Sequence, residues 1–113
     1  MKIERGDIFL ADLDPTRGSE IQKTRPVIVV TNDLANIHSR IITVIPITSQ
    51  RLDKVFRHEL YLGQPKGMDK ESKALVDQIR AIDKTRLKQK LSSLTKKQIE
   101  DLNNRIALHL GLI

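Results

Sequence analysis

The stretch Lys23-Thr24-Arg25-Pro26-Val27-Ile28-Val29-Val30-Thr31-Asn32-Asp33 decides how the rest of the chain is interpreted. Its apolar run from Val27 to Val30 is short, rich in β-branched residues and closed by the turn formers Asn32 and Asp33, which is typical of a fully buried strand. Arg25 stands directly before a proline, where extended backbone is strongly favoured. The stretch therefore predicts a central strand with an arginine fixed at its mouth.

Two interpretations of Arg25 remain open at this point. An arginine on a rigid strand, with Lys23 beside it, suits an anionic substrate, because charged groups held at the edge of a scaffold often mark functional sites. Alternatively, Arg25 caps the end of a barrel or pairs with a carboxylate. The strand pattern alone does not separate these roles.

The composition sets broad limits on the protein. The chain has 113 residues, which predicts one domain spanning residues 1–113, and its 39% hydrophobic content is enough for a core. Lysine and arginine number 20 against 14 acidic residues, a net charge of +6 that favours nucleic acid or another polyanion. Only three residues are aromatic (Phe9, Phe56 and Tyr61), so base stacking on aromatic side chains is not expected to be the main binding device.

Several short strands and one late helix make up the predicted fold. Further strands are expected at Ile8–Ala11, Ile41–Ile47, Phe56–Leu62 and within Lys73–Ile82, where Asp77 and Gln78 interrupt the apolar pattern. Pro46 is expected at a strand edge or bulge, because proline cannot donate to a ladder. Residues 34–40 are expected to hold a helical turn and residues 83–87 a single turn, while residues 14–23 form a turn-rich loop.

The last element carries clear helix signals. Thr95 and Gln98 have the spacing of a capping box, and Leu94 and Ile99 can form a hydrophobic staple. Apolar residues follow on one helical face, at positions 99, 102, 106 and 110. The order of elements predicts a mainly β (α+β) protein, in which a strongly bent sheet or partly open barrel has the C-terminal helix docked against it.

Several classes of chemistry lack their usual signals. The sequence has no cysteine, and its three histidines do not have metal-ligand spacing, so we expect no metal site. No Gly-x-Ser-x-Gly, Walker or dinucleotide-binding motif is present. The N-terminus is not a signal peptide and no stretch reaches membrane-spanning length, which predicts a cytoplasmic protein without membrane contact.

What remains is a metal-free set at strand ends and polar breaks, namely Arg25, Thr48, Ser49 and Asp77. Cleavage of RNA needs no enzyme nucleophile, since the ribose 2′-OH can attack its own phosphodiester, and the protein then only moves protons and stabilises charge. Arginine offers fixed donors to two phosphoryl oxygens, and a hydroxyl can add another. Because arginine is a poor base, the residues are compatible with this reaction without requiring it.

The ordered motifs resemble the MazF/PemK toxin family. The motifs are Arg5-Gly6-Asp7-Ile8, Gly18-Ser19-Glu20, Arg25-Pro26 leading to Asn32-Asp33, Ile47-Thr48-Ser49-Gln50, and Asp77 to Asp83. This resemblance spans nearly the whole chain. It implies an SH3-like small β-barrel with a C-terminal α-helix, a homodimer, no cofactor, and a sequence-specific, metal-independent endoribonuclease of a type II toxin-antitoxin system, inhibited by a cognate MazE-like antitoxin.

The resemblance also assigns residues. It implies that Arg25 is the catalytic arginine and that Thr48 is its phosphate-stabilising partner, cleaving single-stranded mRNA to 2′,3′-cyclic phosphate and 5′-OH ends. Asp77 matches an acidic position important in some members, but Leu75 stands where those members have an accompanying arginine. Ser49 is a further supporting candidate. Expected RNA contacts, each with solvated surface as the alternative, are Arg17, Ser19, Glu20, Lys23 and Gln78.

Two rival functions belong to other classes. A CcdB-like gyrase inhibitor shares the implied fold, but its function rests on a C-terminal Trp-Gly-Ile, whereas this chain ends Leu110-Gly111-Leu112-Ile113 and contains no tryptophan. A bare SH3-like nucleic-acid-binding module would be expected to lack Arg25 and Thr48 together. Incubation with RNA and with gyrase separately distinguishes the three classes.

Overall fold

A computed structural model describes all residues from 1 to 113. Its seven strands are β1 (Asp7–Asp12), β2 (Thr24–Val29), β3 (Ile41–Thr48), β4 (Glu59–Gly63), β5 (Ser72–Leu75), β6 (Arg80–Asp83) and β7 (Leu87–Ser93). Helix α1 spans Asp33–His38 and helix α2 spans Lys96–His109, and single 3₁₀ turns lie at Val76–Gln78 and Lys84–Arg86. No helix is both long enough and apolar enough to cross a membrane.

The strands form one strongly bent antiparallel sheet in the order β4-β5-β3-β2-β1-β7. Strand β3 is shared between two parts of this sheet, because its first half pairs with β6 and its end pairs with β5. The mainly β, barrel-like fold with a C-terminal helix is therefore confirmed, although the sheet does not close completely.

Strand β2 is buried on both faces, which explains its unbroken apolar run. Ile28 belongs to a core beneath α2, whereas Val27 and Val29 point into a second core on the other side of the sheet. All three residues are inaccessible to solvent, while Val30, beyond the end of the strand, is half-buried. The predicted central strand is confirmed, because a bent sheet that packs on both sides needs apolar residues at successive positions.

Several details differ from the sequence-based prediction, and the strand expected at Phe56–Leu62 begins only at Glu59. Residues 73–82 form two strands, β5 and β6, separated by the 3₁₀ turn at Val76–Gln78. Strand β7 was not predicted, because it lies at the sheet edge and is mostly exposed and polar. Pro46 lies inside β3, opposite Val27, at the point where β3 exchanges β6 for β5 as its partner and a missing N–H is tolerated.

Helix α2 begins as predicted. The Gln98 N–H donates to Thr95 Oγ1 at 3.2 Å, and the Thr95 N–H donates to Gln98 Oε1 at 2.9 Å, so the capping box is complete. Leu102 is buried, and Ile99 and Ile106 pack against the same core. Leu110 was expected on this face but is exposed, because the helix ends at His109 and the chain turns away.

Candidate active site

Arg25 lies at the mouth of β2, as the sequence predicts. It is paired in register with Ala11 of β1, and its Nε donates to the Gln22 carbonyl at 3.1 Å. The two terminal guanidinium nitrogens have no partner within the protein, and no carboxylate forms an ion pair with them. Because the carboxylate-paired role is absent, the charge is free to bind an external anion.

A depression of about 270 Å³ opens beside Arg25. Ser49 lies in it, so the structure brings these two predicted residues together. Most of the remaining wall comes from the β4–β5 loop and the adjoining strands, through Pro26, Ile47, Gly67, Met68, Asp69, Lys70, Ser72 and Leu91. An arginine and a hydroxyl in an open depression with some apolar side chains can hold a phosphodiester while part of its nucleotide contacts those side chains.

Thr48 lines a neighbouring depression of about 310 Å³. The ladder between β2 and β3 ends at the pair Val27–Pro46, and Thr48, two residues further along β3, pairs with Lys73 of β5. Thr48 Oγ1 accepts the Gln50 N–H at 3.1 Å, which orients the hydroxyl at the strand end. Thr48 and Ser49, which are adjacent at the end of β3, therefore line two different depressions.

The β1–β2 loop (residues 13–23) is tied down at both ends. The Leu13 N–H donates to the Lys23 carbonyl at 3.0 Å, and the Lys23 N–H donates to Asp14 Oδ1 at 3.0 Å, with Lys23 in the left-handed region at φ +69°. Arg80 donates to the Leu13 carbonyl, and Arg86 donates to the carbonyls of residues 12 and 14. These hydrogen bonds therefore fix both ends of the loop where it joins the sheet.

The tip of this loop carries three predicted RNA contacts. The Arg17 N–H donates to Glu20 Oε1 at 2.6 Å, and the Glu20 N–H donates back to the Arg17 carbonyl, which closes a tight turn around Gly18 and Ser19. Arg17, Ser19 and Glu20 are all exposed. Gln78 is joined to the same loop, because its Oε1 accepts the Ile21 N–H at 2.6 Å.

Asp77 contacts His58 and not Arg25. Its carboxylate lies 3.6 Å from His58 Nε2, and it lines neither of the two depressions. Leu75, which replaces the arginine that accompanies this acid in some members of the resembling family, is buried at the end of β5. The geometry groups Asp77 with His58 rather than with Arg25.

A buried ion pair near Thr48 was missed from the sequence. Lys73 Nζ lies 2.9 Å from Glu59 Oε1, and both side chains are more than 90% buried. Burial works to raise the pKa of Glu59, but the Phe56 N–H and the Lys73 ammonium outweigh it and hold this pKa below its usual value. The available signal was a lysine directly before the apolar run Ala74-Leu75-Val76, which the predicted strand would have to bury.

Comparisons with known proteins agree on the class. The fold is shared with MazF from Deinococcus radiodurans at a TM-score of 0.84, with 20% identity and 98% of each chain covered. It is also shared with an endoribonuclease in complex with its cognate antitoxin from a mycobacterial species, at a TM-score of 0.80, with 22% identity, 98% of this chain and 97% of the other. The fold is therefore that of the MazF structures.

The particular family follows from sequence similarity. Residues 4–110 match the family described as PemK-like, MazF-like toxin of type II toxin-antitoxin system. The chain is also 40% identical over 111 residues to the Endoribonuclease MazF of Staphylococcus saprophyticus, covering 97% of this chain and 92% of the relative. The protein belongs to the PemK-like, MazF-like toxin family.

Proposed function

We propose that this toxin is a sequence-specific, metal-independent endoribonuclease that cleaves single-stranded mRNA and so arrests translation and growth. The observation that carries the proposal is Arg25, whose terminal nitrogens are unpartnered at an open depression that Ser49 also lines, while Thr48 lines the neighbouring depression. The Endoribonuclease MazF at 40% identity supports the same reaction class. A gyrase inhibitor would not require this arrangement of an unpaired arginine and neighbouring hydroxyls.

The reaction needs only RNA and proton transfer. The 2′-OH loses its proton and attacks the adjacent phosphorus, the bond from phosphorus to the 5′ oxygen breaks, and that oxygen takes up a proton, so that no net proton is gained or lost. The products are a 2′,3′-cyclic phosphate and a 5′-OH end. Arg25 binds the phosphoryl oxygens and takes the acid/base role, while Thr48 adds a hydroxyl donor as charge grows on the phosphorus centre. Ser49 supports the same oxygens from the depression.

We assign binding of the RNA on either side of the cut to the β1–β2 loop. Arg17 and Lys23 supply charge, whereas Ser19, Glu20 and Gln78 offer polar groups suited to base edges. Asp77 receives a supporting role at most, because its carboxylate lies beside His58 and lines neither depression. No three His, Cys, Asp or Glu side chains come together in a way that could hold a metal ion.

The assembly we propose is a homodimer controlled by a MazE-like antitoxin, acting as one domain over residues 1–113 in the cytoplasm, where mRNA is available. The mycobacterial relative with its cognate antitoxin supports the partner class. Leu34 and Ile37, three residues apart on α1, are about 70% exposed and offer apolar surface for a second copy to cover.

The test is cleavage of a defined RNA in the presence of EDTA, with a matched RNA that carries 2′-deoxyribose at the cut site. Activity should survive the chelator, since the residues assigned to the reaction include no metal ligand set. The deoxy substrate should resist cleavage, because its nucleophile is missing. Cleavage of the deoxy substrate, or loss of activity that added metal restores, would contradict the mechanism.

A further inference from the structure

The β3–β4 loop (residues 49–58) borders the depression that contains Thr48. Gln50, Arg51, Lys54 and Phe56 line this depression together with Thr48. Arg51 and Lys54 are exposed cations, and Lys54 Nζ lies 4.8 Å from the centre of the Phe56 ring. The loop therefore presents positive charge directly beside a residue assigned to phosphate stabilisation.

Lys73 holds this loop from beneath. Lys73 lies opposite Thr48 in the β3–β5 ladder and is only 2% exposed. Its ammonium donates to the Arg51 carbonyl at 2.8 Å, to the Lys54 carbonyl at 3.0 Å and to Glu59 Oε1 at 2.9 Å. All three ammonium donors are therefore used, which is what a buried lysine requires.

The first half of the loop has few other attachments. Between residues 49 and 55, the only other hydrogen bond that holds the loop backbone is the local one from the Gln50 N–H to Thr48 Oγ1. Arg51 adopts φ +55°, a left-handed backbone that is uncommon for a residue with a side chain and persists where its surroundings hold it. The Lys73 ammonium on the Arg51 carbonyl supplies that hold.

Glu59 completes the arrangement from the far end of the loop. Its Oε1 accepts the Phe56 N–H at 3.0 Å as well as the Lys73 ammonium, while the Glu59 N–H donates to the Phe56 carbonyl. The Phe56 ring is stacked on His58, with centroids 5.4 Å apart and an 8° angle between planes. One buried ion pair thus fixes both halves of an otherwise irregular segment.

We propose that Lys73 is a positioning residue for RNA, and that the loop it holds binds the phosphates flanking the scissile bond. This rests on the proposed function and goes beyond it, since it assigns a second RNA-contacting segment and the buried group that preorganises it. A loop that also visits other conformations binds RNA more weakly, because only the fraction in the binding conformation can bind. A loop that is held in its binding conformation avoids this loss of affinity. Lys73 therefore acts on substrate binding rather than on the chemical step.

The main test is the double variant Lys73→Met with Glu59→Gln, which removes both charges together. Replacing the pair leaves no buried charge unpaired, so folding should be retained. If the freed loop then adopts the binding conformation about a tenth of the time, KM for a short RNA rises about ten-fold, with kcat within about two-fold. The matched control is Lys97→Met with Asp101→Leu, which removes an exposed ion pair on α2 and should leave KM unchanged.

A second measurement uses the loop cations themselves. Arg51→Gln and Lys54→Gln should each weaken binding of RNA that is 2′-deoxy at the cut site. Each should also lower the slope of log affinity against log salt by about 0.7, the value for one phosphate contact on a single strand. In the Lys73→Met, Glu59→Gln background the effect of Arg51→Gln should shrink, because the two sites then no longer cooperate.

The outcomes separate this proposal from the proposed function. Wild-type protein that cleaves no RNA counts against the endoribonuclease, whereas cleavage with an unchanged KM in the double variant overturns the role of Lys73. If kcat falls by the same factor as KM rises, and the melting temperature falls as well, the ion pair is merely structural. That result also overturns the role of Lys73. If the double variant does not fold, the test rests on the single variants Arg51→Gln and Lys54→Gln. An unchanged slope of log affinity against log salt then overturns the proposal, and a reduced slope supports the phosphate-binding loop.

Discussion

Arg25 combines a fixed backbone with a free charge. Its backbone pairs with Ala11 within the sheet, its Nε is satisfied by the Gln22 carbonyl, and its two terminal nitrogens are left for a ligand. A side chain held in this way loses little entropy when it grips a phosphate. Single-residue changes at this site should therefore affect catalysis far more than folding.

Arg25→Ala is expected to reduce kcat by about 10²–10³ through the loss of charge stabilisation, and by more if proton transfer is lost as well. Stability should change little, because the side chain makes one hydrogen bond. Turnover of a defined RNA, with thermal unfolding measured in parallel, provides the check. Arg40→Ala is the matched control at an exposed arginine, and near wild-type turnover by a folded Arg25→Ala protein would refute the assignment.

Thr48→Ala should cost less than Arg25→Ala. Ser49 or a water molecule can supply part of the lost donor, while the Gln50 N–H that Thr48 Oγ1 accepts turns to solvent. The same turnover assay ranks the two variants. An equal or larger loss for Thr48→Ala would reverse the order of importance that we assign.

Glu59 makes the stability of the fold sensitive to acid. Its pKa is held below the ordinary 4.5, so the carboxylate stabilises the folded state fully above that pH and progressively less as pH falls through the lowered value. The free energy of unfolding of the wild type should therefore drop below about pH 4.5 more steeply than that of Glu59→Gln. Denaturant unfolding at several pH values measures both slopes, and parallel slopes would show that Glu59 does not contribute.

Among the elements, β3 does most to build the site, because it contacts β2, β5 and β6 and ends at Thr48. Helix α2 contributes differently, by covering the core that contains Ile28 and Ile45. Its start depends on the capping box of Thr95 and Gln98. The attachment of the helix can therefore be tested far from Arg25.

Thr95→Ala is expected to lower the free energy of unfolding by about 1 kcal/mol, because the Gln98 N–H loses its acceptor at the helix start. RNA cleavage at a temperature well below unfolding should remain at the wild-type level. Chemical denaturation gives the stability difference. Lys96→Ala, at the exposed next residue, is the control and should stay within about 0.5 kcal/mol of wild type.

At the scale of the whole molecule, the net charge of +6 attracts both RNA and an acidic antitoxin segment. We expect the antitoxin to bind the same basic groove as RNA, a name we give to the surface around Arg25 and the β1–β2 loop, and to place a carboxylate near Arg25 and apolar side chains beside that loop. RNA binding should weaken steeply with salt, and antitoxin binding less steeply, since apolar contacts carry part of it.

A competition titration of the cognate antitoxin against a non-cleavable RNA tests this shared groove, with the mass in solution measured on the same samples. Displacement of RNA by a dimeric toxin is the expected result. A ternary complex with unchanged RNA affinity would contradict the shared groove. An active protein that stays strictly monomeric would contradict the proposed homodimer.

Local patterns were sufficient for much of this molecule. The buried strand at Val27–Val29, the capped start of α2 and the bent, mainly β fold all follow from apolar periodicity and capping chemistry, which act between residues close in the chain. The ordered motifs also indicated the family, and the family match over residues 4–110 confirms it. The sequence thus determined the class of protein and which side chains are candidates for its chemistry.

Only the tertiary structure decided which candidates share a site. The strand ends place Arg25 and Ser49 in one depression and Thr48 in the neighbouring depression, while Asp77 lies beside His58. The polar edge strand β7 and the buried Lys73–Glu59 pair escaped prediction, because their stability comes from partners distant in sequence. Pairing across a bent sheet depends on long-range register and burial, and a local pattern carries neither.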